Sequence, residues 1–336
     1  LRLRHLPFVR GGRPTTYSVI GILFMCIPLR VILLINLLLF STSLPGIAKP
    51  ADTAIGLKDN RYFIDVPEGE INTFLEWSPN FPDIMAAHRG GGFLPGFPEN
   101  VIATMDNSLR FAPALLEIDI HRTSDGVLIL MHDDTLDRTT TGSGLVAETD
   151  WATIQTLYAV DNFGDPTSFK IPTLQETLEW GNDRALFALD LKADDFTADV
   201  IELVSDLGVE DDVMFFADNI EQMLAAYALN PNIHFSLFMT SDTREELVNA
   251  VADSPIPLES LTAFTLAPTT DPAYNQALND QGIISIFGAF IPEYELSRED
   301  AIALYQTLID QGVDSISTDR PPDLGAALGY EPQPAR

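Results

Sequence analysis

Cysteine is nearly absent from this chain: its 336 residues contain one, Cys26. No disulfide can form within it, so packing and polar contacts must hold the fold, and the cysteine count is silent on compartment. Basic residues are the second shortage, with 19 Lys and Arg against 49 Asp and Glu and a formal net charge of −30. Five of the arginines and none of the acids fall in residues 1–48, so the rest of the chain is more acidic still. Such a surface repels nucleic-acid phosphates and anionic headgroups, which excludes a nucleic-acid binder, and it suits saline surroundings. A nucleotide-binding turn is missing too. His88-Arg89-Gly90-Gly91-Gly92 has glycines but not the GxGxxG spacing, which speaks against an open doubly wound sheet.

Residues 18–44 are mostly apolar, interrupted by Arg30 and Asn36. Two readings of residues 1–48 fit. In one the segment spans or anchors in a membrane. In the other, translation starts at Met25, Met25–Arg30 is a basic start, Val31–Phe40 an apolar core, and Gly46-Ile47-Ala48 a cleavage site. The core is shorter than the ~20 residues a spanning helix needs, which favours a cleaved signal and an exported, periplasmic or secreted, product. Membrane contact is expected only through residues 18–44, if they are retained.

Residues 49–80 form a polar lead-in without periodicity. From there to about residue 330, short apolar runs alternate with amphipathic stretches. The strand-like runs are Ile84–Ala87, Leu115–Ile120, Ala185–Leu191, Val213–Ala217, Ile233–Met239, Leu261–Leu266, Ile283–Phe287 and Ser315–Ser317. Helical patterns fill the gaps at Thr197–Leu207, Ile220–Leu229, Thr243–Ala252 and Arg298–Gln311, with Asp242 or Thr243 and Ser297 as N-caps and Gly312 as a C-terminal stop. Eight strand–helix units over residues 81–330 predict a (β/α)8 TIM barrel. A ninth run, Val127–Met131, predicts a small hairpin insertion after the second strand, turned at Ser124-Asp125-Gly126.

The chemistry sits where such a barrel concentrates it, at the C-terminal ends of the strands. In Leu115-Leu116-Glu117-Ile118-Asp119-Ile120 the two acids share one strand face. Paired anions within apolar strands are costly unless a cation holds them. With Asp190, which ends the third strand, they predict an all-oxygen site for one divalent cation, Mg2+ or Ca2+ rather than zinc. His88 and His132, at the ends of apolar runs, are candidate acid–base groups. Arg89 and Lys192 are candidate phosphate clamps, notable in a chain so poor in cations. His121 shares the parity of Glu117 and Asp119 but reads better as a rim residue, and His234 as a satisfied strand histidine. The Gly91–Pro98 loop reads equally as one that lets backbone approach a ligand closely and as a tight barrel loop, and Thr139–Gly144 reads as loop chemistry without catalytic content.

Taken in order, Ala87-His88-Arg89-Gly90, Pro98-Glu99-Asn100, Glu117-Ile118-Asp119, Thr123-Ser124-Asp125-Gly126, Met131-His132-Asp133-Asp134-Thr135-Leu136-Asp137-Arg138-Thr139-Thr140, Ile171-Pro172-Thr173-Leu174, Asp190-Leu191-Lys192 and Ser317-Thr318-Asp319-Arg320-Pro321 resemble the glycerophosphodiester phosphodiesterase family from Ala87 to Ala327. The resemblance implies a barrel phosphodiesterase with one divalent ion, a small glycerophosphodiester substrate, and sn-glycerol 3-phosphate and an alcohol as products. It implies that His88 and His132 are the acid–base pair and that Glu117, Asp119 and Asp190 hold the metal. Arg89 and Lys192 would bind phosphate, Glu99 and Asn100 would support the site from behind, and His121 would be uninvolved. In the family-like route the glycerol 2-hydroxyl attacks and water opens a cyclic phosphate. Three departures stand out. The third ligand is Asp190 where Glu is usual, Val101 replaces a Thr, and Ile286-Phe287-Gly288-Ala289-Phe290 replaces a Trp-Thr-Val-Asn-like segment, which bears on the leaving-group pocket. The alternatives are a lipid-directed phosphodiesterase of the same superfamily, acting on lysophospholipid or phosphoinositide-like substrates, and a non-catalytic phosphodiester-binding barrel.

Overall fold

In the computed structural model, residues 54–266 and 271–335 are described. The segment expected to be a signal or membrane anchor, with Cys26, and the first residues of the lead-in lie outside them. Strands β1 (Ala54–Lys58) and β2 (Arg61–Asp65) form an antiparallel hairpin. Eight of the remaining strands close a parallel ring. They are β3 (Met85–Ala87), β4 (Ala114–Arg122), β6 (Leu186–Leu191), β7 (Val213–Ala217), β8 (His234–Phe238), β9 (Leu261–Leu266), β10 (Ser285–Gly288) and β11 (Ser315–Thr318), with β11 pairing back to β3. The expected TIM barrel is present, its strands within two residues of the apolar runs.

Strand alternation sorts the side chains. Leu116, Ile118 and Ile120 of β4 pack outward in the layer between sheet and helices, whereas Leu115, Glu117 and Asp119 line the lumen. Parallel register sets Asp119 opposite Asp190 and Leu116 opposite Ala87, so His88 arrives one step beyond, level with Glu117. The helices start and stop as their caps dictate. Ser297 accepts from Asp300 N, Asn219 from Gln222 N, and Gly312 takes φ +79°. At the helix Arg244–Ala252, however, Thr243 caps by position only. Its hydroxyl instead closes the preceding turn by accepting Thr240 N at 2.9 Å.

Two regions differ from expectation in extent. The insertion after β4 is not small: β5 (Leu128–Leu130) folds back on β4, and the chain to residue 173 builds a lobe around Ile129, Met131, Leu136, Val146, Ile154 and Ile171. The lead-in is also structured. Its hairpin and the helix Ile71–Leu75 plug the N-terminal mouth, where Ile64, Ile71, Phe74 and Leu75 pack on Ile84, Leu115, Leu186, Met214 and Ile284.

His234 ties that plug to the barrel wall. Its Nδ1 lies 2.9 Å from Asn72 Oδ1 and its Nε2 2.8 Å from Thr262 Oγ1, as expected for a satisfied strand histidine. Burial holds the imidazole neutral by pushing its pKa down to about 3. An unfolded histidine titrates near 6.5, so between those values the unfolded chain binds the extra proton and stability falls as pH falls. Unfolding free energies from urea titrations between pH 7 and pH 4 should decline more steeply for the wild type than for His234→Gln, by up to about 1.4 kcal/mol per pH unit. Parallel profiles would contradict this.

Candidate active site

At the C-terminal mouth, the strand ends and the insertion lobe border a pocket of about 120 Å³. His88, Glu117, Asp119, His132, Asp190 and Lys192 line it together with the apolar Phe216, Phe264, Ile286 and Phe290. Glu117, Asp119 and Asp190 each place a carboxylate oxygen within 4.8 Å of the others. Among the described residues no other set of three or more such ligands converges this way. The shorter Asp190 therefore still reaches the cluster.

The surroundings explain how the acids are held together. Lys192 Nζ lies 2.5 Å from both Asp119 Oδ1 and Asp190 Oδ2. Asn100, at φ +58°, grips Asp119: its Nδ2 donates to Oδ2 at 2.6 Å and its Oδ1 accepts the Asp119 amide at 3.1 Å. Arg89 also adopts the left-handed region, at φ +52°, which aims its own N–H at Glu117 Oε2, 2.7 Å away. Its guanidinium binds Glu99 Oε1 at 3.0 Å, and its Nε, buried without a hydrogen-bond partner, is 3.7 Å from Asp119. Burial alone would raise Asp119, but Lys192 and Arg89 outweigh it and hold the carboxyl well below its usual range. Glu117 goes the other way, pushed up by burial and then by the charge of Asp119. A surplus of negative charge on hard oxygen donors fits a divalent cation such as Mg2+ or Ca2+.

Each pocket histidine has a carboxylate on Nδ1. His88 Nδ1 is 2.8 Å from Asp319 Oδ1, and Asp319 Oδ2 accepts from Tyr294 O–H at 2.6 Å. His132 Nδ1 is 2.7 Å from Asp133 Oδ1. Arg138 clamps Asp133 at 2.7 and 2.9 Å and reaches back to Glu99 at 2.7 and 2.9 Å. Burial would lower His88, but Asp319 outweighs it and raises the imidazole above its ordinary value. Glu99, buried between Arg89 and Arg138, is held below the usual carboxylate range once the two guanidinium groups overcome desolvation.

Of the sequence-predicted site residues, His88, Glu117, Asp119, His132, Asp190 and Lys192 line the pocket. Asn100 and Arg89 stand behind that lining and contact Asp119, and Glu99 is joined to it through Arg89. His121 faces Asp134, with Nε2 3.8 Å away and unbonded, and stays out of the pocket. Sequence reasoning gave no role to Asp319, Arg138, Glu293, Tyr294 or Phe290. The first two lay inside quoted motifs, whereas the others belong to an aperiodic loop. Phe290 ends the atypical segment after β10 and stacks on His88, ring centroids 3.8 Å apart and planes 5° from parallel. Val101, standing where Thr is usual, leaves the helix Ile102–Ser108 without a side-chain cap.

A model of the glycerophosphoryl diester phosphodiesterase family matches residues 88–255, half of the chain, including every proposed metal ligand and both histidines. The chain belongs to that family. A solved glycerophosphoryl diester phosphodiesterase from Parabacteroides distasonis is 30% identical with a TM-score of 0.73, covering 79% of this chain and 93% of its own. A Bacillus subtilis glycerophosphodiester phosphodiesterase is 26% identical over 260 residues, 71% of this chain and 84% of the relative. An Oleispira antarctica phosphodiesterase, solved in complex with sn-glycerol-3-phosphate, shares the fold at 22% identity and TM-score 0.58, covering 77% of this chain and 98% of its own.

In this phosphodiesterase, Asn100 touches one carboxylate only and supports it from behind. Losing such a partner typically lowers metal affinity about 10–100-fold. Asn100→Ala should show that loss for Mg2+ or Ca2+ by titration calorimetry while the barrel remains folded. Unchanged affinity would separate Asp119 from metal binding.

Proposed function

We propose that the enzyme uses one carboxylate-held divalent cation and a histidine pair to cleave glycerophosphodiesters to sn-glycerol 3-phosphate and an alcohol. The observation that carries this reading is the pair of His–Asp couples, His88–Asp319 and His132–Asp133, lining one pocket with three convergent carboxylates. The family membership supports it, as does the glycerol phosphate bound by the Oleispira antarctica protein of the same fold.

Glu117, Asp119 and Asp190 would hold the cation, which as a Lewis acid supplies charge neutralisation at the phosphoryl oxygens. Lys192 adds a point charge there, and Arg89 acts from behind by holding Asp119 and, through its backbone N–H, Glu117. Asp319 and Asp133 accept the Nδ1–H of their histidines, which leaves each Nε2 as the exchanging nitrogen. One imidazole takes the proton of the attacking hydroxyl, the glycerol 2-hydroxyl in the family-like route. The other gives a proton to the departing alkoxide. Water, deprotonated in turn, then opens the cyclic phosphate.

The named relatives are glycerophosphodiester phosphodiesterases and do not favour the lipid-directed alternative. At the rim, Phe163 and Tyr294 are half exposed and pack around Phe93, which ties loops together. A binding-only barrel has no use for two buttressed imidazoles. We also propose export. Among the described residues no helix is long and apolar enough to cross a membrane.

The test is release of sn-glycerol 3-phosphate from glycerophosphocholine, glycerophosphoethanolamine and glycerophosphoglycerol, with and without chelator. Turnover should require the cation. His88→Ala and His132→Ala should each lower kcat by at least ~10²-fold, the lower bound of acid–base assistance, and His121→Ala far less. Full activity under excess chelator, or His121→Ala as damaging as His88→Ala, would defeat the reading. N-terminal sequencing of the processed protein should place its start near Lys49. An intact Met25 terminus on membrane-bound protein would rule out cleavage.

A further inference from the structure

The loop that follows β10 holds none of the proposed metal ligands, yet three of its residues converge on the His88–Asp319 couple. Phe290 lies flat on one face of the imidazole, 3.8 Å between centroids and 5° between planes. Tyr294 reaches the other end of the couple, its O–H donating to Asp319 Oδ2 at 2.6 Å while Asp319 Oδ1 holds His88 Nδ1 at 2.8 Å. Glu293, fully buried, accepts the Asp319 amide at 2.7 Å and the hydroxyls of Thr318 and Tyr305 at 2.7 and 2.6 Å.

The loop is itself pinned to the segment it holds. The Ala289 amide donates to Ser317 O at 2.8 Å, and Arg320 donates to the carbonyls of Glu293 and Leu296 at 3.1 and 3.0 Å. Arg320 is in turn held by Asp323 at 2.6 Å. Tyr294 also stands edge-on to Phe93, 5.2 Å between centroids, and Phe93 lies on the loop that His88 opens. Both sides of the His88–Asp319 couple are therefore fastened by one short segment. His132 is buttressed differently, through Asp133 and Arg138 in the insertion lobe.

We infer that Phe290 and Tyr294 are positioning residues for the reaction, fixing the ring plane and the Nδ1–H tautomer of His88 from the loop after β10. The two act with opposite sign on the imidazolium that forms whenever His88 carries a second proton. An aromatic face attracts that cation. The tyrosine O–H withdraws negative charge from Asp319, so removing it leaves Asp319 a stronger partner for the imidazolium. The inference rests on His88 acting in the reaction, and the experiment separates the two claims.

Tyr294→Phe keeps the ring on Phe93 and deletes the hydroxyl. Phe290→Leu keeps apolar bulk and deletes the stack, and Phe290→Tyr restores it. Steady-state kinetics on glycerophosphocholine should show kcat reduced roughly tenfold in each of the first two, a part of the ~10²–10⁴ that acid–base groups contribute, with KM within about twofold. The pH–rate limb that disappears in His88→Ala should move up in Tyr294→Phe, down in Phe290→Leu, and back in Phe290→Tyr. Nitrogen-15 shifts of the His88 ring, read without substrate, should show the Nδ1–H tautomer in wild type and in Tyr294→Phe, and a mixture in Phe290→Leu. Loss of activity with an unmoved limb and a wild-type tautomer, or wild-type kcat throughout, overturns the inference. If His88→Ala retains full activity, the functional reading falls, and the nitrogen shifts alone still decide whether the loop orients the ring.

Discussion

Three carboxylates converge inside a barrel lumen, and that concentration of charge is what the rest of the site answers to. Asp119 is almost fully buried, where an unpaired anion is costly. It survives because Lys192, Arg89 and Asn100 all contact it. Arg89 and Asn100 both take left-handed backbone conformations to do so. Strain at non-glycine residues is tolerated where surrounding contacts over-determine it. Here the Asn100 amide donates to Arg89 O at 2.8 Å, so the two strained residues support each other.

The balance extends outward in a chain of alternating charge. Asp190 and Asp119 share Lys192, Arg89 joins Asp119 to Glu99, Glu99 meets Arg138, and Arg138 clamps the Asp133 that holds His132. One of the two imidazoles is thereby fixed by the same network that organises the metal ligands. The other is fixed from the opposite wall by Asp319 and the loop after β10. A pair of histidines held by separate structures can keep different proton states, which is what consecutive proton removal and donation require.

Much of this was legible from strand parity. Glu117 and Asp119 two apart on β4, and Asp190 ending β6, had to face the same lumen once the runs were strands. The long helices, with clear caps, were equally readable. The lead-in was not, because β1, β2 and the helix Ile71–Leu75 each span only five residues, too few to show a period. The insertion lobe was underestimated because its core residues are scattered among turns, with β5 its one strand. Asp319 and Tyr294 escaped notice because a hydrogen bond between segments 25 residues apart leaves no local pattern. Phe290 stood in an atypical segment, so the sequence pointed to the place but not to the stacked ring.

The central claim is that Glu117, Asp119 and Asp190 form one cation site to which the surrounding charges are matched. Anomalous diffraction from crystals of the full chain equilibrated with Mn2+ as a stand-in for Mg2+ or Ca2+ tests it most directly. The account predicts a single strong peak bonded to an oxygen of all three side chains, at the roughly 2.0–2.6 Å typical of hard cations on oxygen. A peak elsewhere, or no peak there with Lys192 still bridging Asp119 and Asp190, would contradict it.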